Sequence, residues 1–375
     1  MTILKKLLRP LTHILYKVFL EAYLKKQSGL RRNKRVLVQI NSGIGDAIMT
    51  LPMICTLSSN GFEVHVLANQ YTETIAKLCP DVDRYYVIDR SIATIQITIK
   101  HIMTLNKLKF RYFIGALPSN LIRDAFLPIF LRIPIRSKHM TPHDENYRNY
   151  DFMFNHLVKL NAQKNNTEGN LELLEEIAGV EIKEIKHNVK LSSHILTRVK
   201  QQLRHLGYQK DKITIGVHPG CKETWAFKRW PAERYRELLG TILKDKNLQI
   251  VLFGGAEERE LANQVINNLN IKPFNLVGEL SIEETITAVS LCQMFISNDS
   301  ALMHIATLFD MPVVALFGRT NELATGPYGN RHVVIKKQDV KDIRVHEVYE
   351  KTVSILRMIA SNDKYATKNI GILNS

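Results

Sequence analysis

Residues Ser297 to Gly318 read SNDSALMHIATLFDMPVVALFG. The pattern predicts a strand over 293–297, a polar turn carrying Asn298, Asp299 and Ser300, a helix opening at Ser300 and Ala301, and a second buried strand over 312–317. A carboxylate, a hydroxyl and free backbone N–H groups then meet where a strand's carboxyl end hands over to a helix N-terminus. Open α/β sheets bind ligands there, and helix N-termini favour phosphate. His304 stands one helical turn beyond Ser300. It either points into the same site or is a satisfied structural histidine.

Two further segments could share that chemistry. The apolar strand ITIGVH runs into HPGCKETWAFKRWP, His218 to Pro231, which brings together His218, Lys222, Lys228 and Arg229. Lys228 offers a point charge to phosphate beside a helix that opens after Trp230 and Pro231. A solvated basic loop with Trp230 packed beneath it is the structural alternative. In VLFGGAEERELA, Gly254 and Gly255 follow a strand, and Glu257 and Glu258 stand near a helix start. Acids there either complement the helix dipole or bind sugar or ribose.

The first strand-to-helix turn is NSGIGDAIMTLP, Asn41 to Pro52. Gly43 and Gly45 let the chain turn tightly and let a ligand approach closely. A dinucleotide fingerprint fails here: Ile48 stands where the third glycine belongs, Asp46 would repel a pyrophosphate, and Glu63 begins its strand instead of ending it. Asp46 at the mouth of a glycine turn suits a general base facing an incoming hydroxyl, with a helix cap as the structural alternative. Arg123, Arg132, Arg136, Lys138 and His139 cluster around the fourth and fifth strand units. They either meet phosphates or sugar carboxylates of an acceptor or form a solvated basic surface.

Short apolar strands alternating with amphipathic helices must position these groups. That grammar occurs twice, which predicts an α/β protein of two doubly wound, Rossmann-like domains facing a central cleft. The expected divisions are a segment 1–34, domains 35–190 and 191–340, and a C-terminal helix and tail 341–375. Helices are expected near 145–160 and 171–180, with a polar loop over 161–170 between them.

Ten of the 51 Lys/Arg lie in residues 1–35 against the single acid Glu21, so most of the net charge of +15 is concentrated there. Leu4, Leu7, Leu8, Leu11, Ile14, Leu15, Val18, Phe19 and Ala22 form a helical stripe, while Lys5, Lys6, Arg9 and Lys17 interrupt any membrane span. The segment reads as a basic amphipathic helix, either packed on the protein itself or lying on an anionic membrane surface. Charge alone would suggest nucleic acid, but no basic–aromatic groove motif accompanies it, and nucleic-acid binding is not expected. The four cysteines are far apart in sequence, with no metal-ligand spacing; inert thiols in a reducing compartment and no metal are the expectation.

Together, GIGDAIMTLP, the His218–Pro231 loop ending KRWP, and SNDSALMHIA followed by PVVALFG resemble glycosyltransferase family 9 in the family's order, from about Val36 to Gly329. Its best-known members are ADP-heptose:lipopolysaccharide heptosyltransferases. The resemblance implies a GT-B fold, with an N-terminal acceptor domain and a C-terminal nucleotide-sugar domain. It also implies inverting transfer without metal or cofactor, a nucleotide-sugar donor such as ADP-heptose, and a lipopolysaccharide-core or related anionic glycolipid acceptor. It carries the base onto Asp46; Gly43, Gly45, Arg123 and Arg136 are expected on the acceptor side from the residues themselves. The resemblance gives pyrophosphate binding to Lys228 and donor contacts to Asp299, Ser300, Ala301 and His304; His218, Gly220, Arg229, Gly255 and Glu257 join the expected donor side from the residues themselves. The implied location is cytoplasmic, peripheral on the inner face of the cytoplasmic membrane. Gly220 and Cys221 replace a hydroxyl pair found in the heptosyltransferase branch, and Ala301 replaces the commoner glycine; both departures bear on the donor. Another nucleotide sugar, or a catalytically silent glycolipid- or sugar-nucleotide-binding module, is the alternative.

Overall fold

A computed structural model describes residues 33–40, 42–88, 103–116, 122–140, 151–178, 180–182, 185 and 187–361. The expected N-terminal amphipathic helix lies outside these residues. Among the described residues no helix is long and apolar enough to cross a membrane. The chain divides into two compact units, Met1–Val189 and Lys190–Ser375.

In the first unit, strands β1 (Arg35–Gln39), β2 (Glu63–Ala68), β3 (Arg84–Val87), β4 (Tyr112–Gly115), β5 (Ile135–His139) and β6 (His156–Val158) form one parallel sheet in the order β3-β2-β1-β4-β5-β6. Val36, Leu37 and Val38 of β1 are all fully buried, as expected for a central parallel strand covered on both faces. Val38 lies opposite Val66 on one side and Ile114 on the other. Helices α1 (Ile44–Ser59), α2 (Glu73–Leu78), α3 (Ile122–Phe130) and α4 (Asn166–Ala178), with helical residues 103–108, are the connecting elements.

Two expectations fail here. Residues 151–158 do not continue a helix; a single 3-10 turn at Asp151–Met153 is followed by edge strand β6, whose His156 pairs with Ser137. Met153 and Phe154 bury themselves with Phe110 and Phe113, so their apolar character serves a turn that leads into a strand. The polar stretch 161–170 is not all loop, because α4 begins at Asn166. Its Asn170 is buried and donates to the Met49 carbonyl and Thr50 hydroxyl of α1, so polar residues mark a helix–helix contact.

In the second unit, β7 (Ile213–His218), β8 (Leu248–Leu252), β9 (Phe274–Asn275), β10 (Met294–Asn298), β11 (Val313–Phe317) and β12 (Val333–Lys336) form a parallel sheet in the order β12-β11-β10-β7-β8-β9. Its helices are α5 (Ser193–His205), α6 (Ala232–Ile242), α7 (Arg259–Ile266), α8 (Ile282–Val289), α9 (Ala301–Thr307), the short α10 (Glu322–Thr325) and α11 (Val345–Ala360). The C-terminal helix belongs to this unit: Val348, Ile355, Leu356 and Ile359 join the core formed by Trp230, Tyr235, Ile215 and Ile296. Both sheets start at a central strand, build outward on one side, then cross to build the other. In each, the two strands flanking that crossover leave a crevice at their carboxyl ends (β1 and β4, β7 and β10).

Candidate functional site

In the second unit the crevice between β7 and β10 holds most of the expected residues. His218 ends β7, and Ser300 caps α9 just after β10. The imidazole Nδ1 lies 2.8 Å from Ser300 Oγ, which in turn lies 3.0 Å from Ser297 Oγ. On its other side Nε2 faces Glu258 Oε2 at 3.1 Å and Oε1 at 3.3 Å. An ionised carboxylate only accepts, so Nε2 donates to Glu258 and Nδ1 is left facing the serine hydroxyl. Glu258 also accepts from the Gly255 N–H at 2.7 Å. Burial is the largest influence on this carboxyl and pushes its pKa upward; the bonds from His218 and Gly255 and the nearby Arg229 charge outweigh it and hold it below the usual carboxylate value.

Lys228 Nζ sits 2.7 Å from Asp299 Oδ2 and 4.8 Å from the centre of the half-exposed Trp225 ring. The ammonium thus has a carboxylate and an aromatic face as neighbours while its side chain stays 18% exposed, within reach of a ligand. The loop that delivers it is tied at both ends to one residue. Asn298, fully buried at the end of β10, donates to the carbonyls of Pro219 (2.7 Å) and Gly220 (3.2 Å). Its Oδ1 accepts from Trp230 N–H (3.1 Å) and the Tyr235 hydroxyl (3.0 Å). Trp230 packs beneath, fully buried against Tyr235, as its place before a helix suggested.

Other expected donor residues have contacts within the second unit. Arg229 is turned to the Cys221 carbonyl and Glu223, both at 2.7 Å, and so braces the loop. Glu257 is exposed, whereas its neighbour Glu258 is the one wired to His218. Both Gly220 and Gly254 press against Glu258, and Gly255 against Glu257. Ala301 opens α9, and His304 is buried on that helix. The Cys221 thiol is buried and donates to the Trp225 carbonyl; burial raises its pKa, which makes it inert.

In the first unit, Asp46 is the third residue of α1. Its Oδ2 accepts from the Gly43 N–H at 3.1 Å and the Ser42 hydroxyl at 2.6 Å. Asp46 thus supplies the N3 half of a capping arrangement, accepting from the N-cap N–H, and its half-buried carboxylate is oriented by the turn it closes. Gly43 has φ −109°, which any residue can adopt; the tight turn does not require glycine there. What crowds the position is Asp46 itself, whose Oδ2 would lie 3.3 Å from an added Cβ. Gly45 follows in the first turn of α1. Asn69, just after β2, secures the turn from below by donating to the Ser42 carbonyl at 3.0 Å. Sequence reading missed Asn69 and the roles of Asn298 and Glu258.

The acceptor-side arginines fare differently. Arg136 is fully buried on β5, where Nε donates to the Met153 carbonyl and Nη1 to those of Ile133 and Pro134. It holds the backbone together and does not face an acceptor. Its neighbours are equally committed: Lys138 pairs with buried Asp151 at 2.7 Å, and His139 bonds the Gly169 carbonyl. Arg123 lies in α3, but its side chain is outside the described residues.

Comparison with known proteins agrees with this architecture. Residues 105–352, well over half of the chain, match the family described as glycosyltransferase family 9 (heptosyltransferase). The chain is 35% identical over 130 residues to lipopolysaccharide heptosyltransferase 2 of Salmonella typhimurium, covering 34% of this chain but only 37% of that relative. Lipooligosaccharide heptosyltransferase 2 of Haemophilus influenzae is 23% identical over 328 residues, 83% of this chain and 91% of the relative. The structure of E. coli ADP-heptose lps heptosyltransferase II shares the fold with a TM-score of 0.72 at 22% identity, over 87% of this chain and all of that one. The family match begins after the Asp46 turn. With two parallel sheets of Rossmann order and a family match over most of its length, the chain belongs to glycosyltransferase family 9.

Proposed function

We propose that the protein transfers a heptose from ADP-heptose to a lipopolysaccharide-core or related anionic glycolipid acceptor, by inverting displacement without a catalytic metal or cofactor. The observation that carries the reading is the Lys228–Asp299 pair beside the His218–Ser300 network, at the carboxyl ends of β7 and β10. A nucleotide-sugar diphosphate brings negative charge that grows as the bond to the sugar breaks. Lys228, held at one end of a tied loop, meets that charge, and Asp299 is then released to bind sugar hydroxyls. On the first unit Asp46 takes the acceptor proton as its oxygen attacks the anomeric carbon opposite the leaving diphosphate. The capping bonds from Gly43 and Ser42 fix the orientation of this base. Transfer at the inner face of the cytoplasmic membrane fits such an acceptor and the basic N-terminal segment.

The test is product formation from ADP-heptose and a core-truncated lipopolysaccharide in the presence of a chelator, with anomeric configuration read by NMR. Asp46→Asn keeps an oxygen for the cap and removes the base, so turnover falls by about 10²–10⁴-fold while donor affinity stays within a small factor. Near-normal turnover in that variant removes Asp46 from the role. Transfer from UDP- or GDP-sugars but not ADP-heptose replaces the donor, and activity lost with chelator and restored by Mg²⁺ but not by Zn²⁺ overturns the reading without a catalytic metal.

A further inference from the structure

The cysteines expected to be inert and far apart are not all so. Cys55 lies near the end of α1, and Cys79 follows α2 directly, with Asp81 two residues on. One ligand atom from each, two sulfurs and a carboxylate oxygen, lies within 4.8 Å of the other two. Tetrahedral zinc, with Zn–S near ~2.3 Å, holds its sulfurs roughly 3.8 Å apart, so the three atoms need only small movements to share one ion.

We propose that Cys55, Cys79 and Asp81 bind a thiophilic divalent cation, of which Zn²⁺ is the type, as a structural clip in the first unit. The surroundings are those of a ligand set. Asp81 Oδ2 accepts from the Asn188 side chain at 2.9 Å, which fixes the carboxylate. The Cys79 sulfur is approached by the Cys55 thiol and by the N–H groups of Asp81 and Val82. Cys79 is buried, but Cys55 and Asp81 are partly exposed, and a surface depression of 370 Å³ is lined in part by Cys79, Val82 and Tyr86. An ion can therefore enter, and water can complete its coordination. The ion would join α1 to the turn between α2 and β3, and binding would release the thiol protons. Cys55 is nine residues along α1 from Asp46, about 14 Å down the helix axis, so the clip takes no part in transfer.

Tag-free full-length protein, reduced and dialysed against buffered Zn²⁺, should hold one ion per chain by elemental analysis. Cys79→Ser and Cys55→Ser should each abolish that ion. Asn188→Ala, which leaves all three ligands in place, should weaken binding about 10–100-fold. Because the cysteine variants could misfold, Co²⁺ titration of the unmodified chain gives an independent reading: thiolate-to-cobalt absorption of a two-sulfur tetrahedral site is expected. No bound zinc, zinc unchanged by both cysteine substitutions, or cobalt spectra without thiolate bands would each overturn the proposal. So would a Cys55–Cys79 disulfide that re-forms in air in preference to metal uptake.

Discussion

Gly220→Ala tests whether Glu258 is the fixed point of the second unit's site. A methyl at position 220 would lie 1.9 Å from Oε1, 2.4 Å from Cδ and 3.1 Å from Cγ of Glu258, so the glutamate must leave its seat. Leaving breaks its contacts with His218 at 3.1 and 3.3 Å and its bond from Gly255 at 2.7 Å. Hydrogen bonds to a charged group are worth about 1.5–3 kcal/mol each, and part of that returns when the carboxylate reaches water. The net loss should be about 2–4 kcal/mol. At about 2–4 °C per kcal/mol for a unit of this size, the melting midpoint of the second unit falls by at least ~4 °C. Gly255→Ala is the control. Its Cβ would also crowd a glutamate, Glu257 at 2.5 Å, but that side chain is exposed and can rotate away. It should cost no more than ~0.5 kcal/mol. In a Glu258→Ala background the clash disappears, so adding Gly220→Ala should cost little more. Differential scanning calorimetry of the four variants settles the matter. A Gly220→Ala midpoint equal to that of Gly255→Ala would refute the reasoning.

Two further predictions concern charged groups. Arg136→Met retains the apolar stem but strips the donors from three backbone carbonyls, and should destabilise the first unit by about 2–4 kcal/mol with acceptor KM unchanged; a raised KM at unchanged stability would restore a binding role. Glu258 has its pKa held below the ordinary 4.5, so its contribution is present above that value and is lost as pH falls through the lowered one. Stability curves of wild type and Glu258→Gln should converge on acidification below about pH 4.5, and curves that remain parallel would contradict the assignment.

The β/α grammar was legible wherever strands are covered on both faces, because continuous apolar runs such as VVALF have few other homes. It failed at β6, a three-residue edge strand whose partly apolar flanks mimic a helix. The site residues that flank strand ends, His218, Asp299 and Ser300, could be read because topology alone brings those ends together. Glu257 and Glu258 could not be told apart, since the rotation of a single 3-10 turn decides which one is buried. Arg136 was misread because a strand's alternation says nothing about which backbone carbonyls await a donor. Cys55 and Cys79 meet only through the packing of α1 against α2, a contact no local spacing encodes.

The Asn298 amide gathers both ends of the segment from Pro219 to Trp230. Chain between two anchored ends is thermodynamically cheap to lengthen, at roughly 0.6 kcal/mol for each doubling. Lys228 stands two residues from the second anchor, which holds its backbone near β10 while the Trp225 ring neighbours its ammonium. The tip, with its exposed Trp225 and Phe227, can therefore change length and composition while the lysine stays registered on β10. In engineering terms this segment is a cassette: one asparagine is its socket, and tips can be exchanged without rebuilding the sheet that holds them.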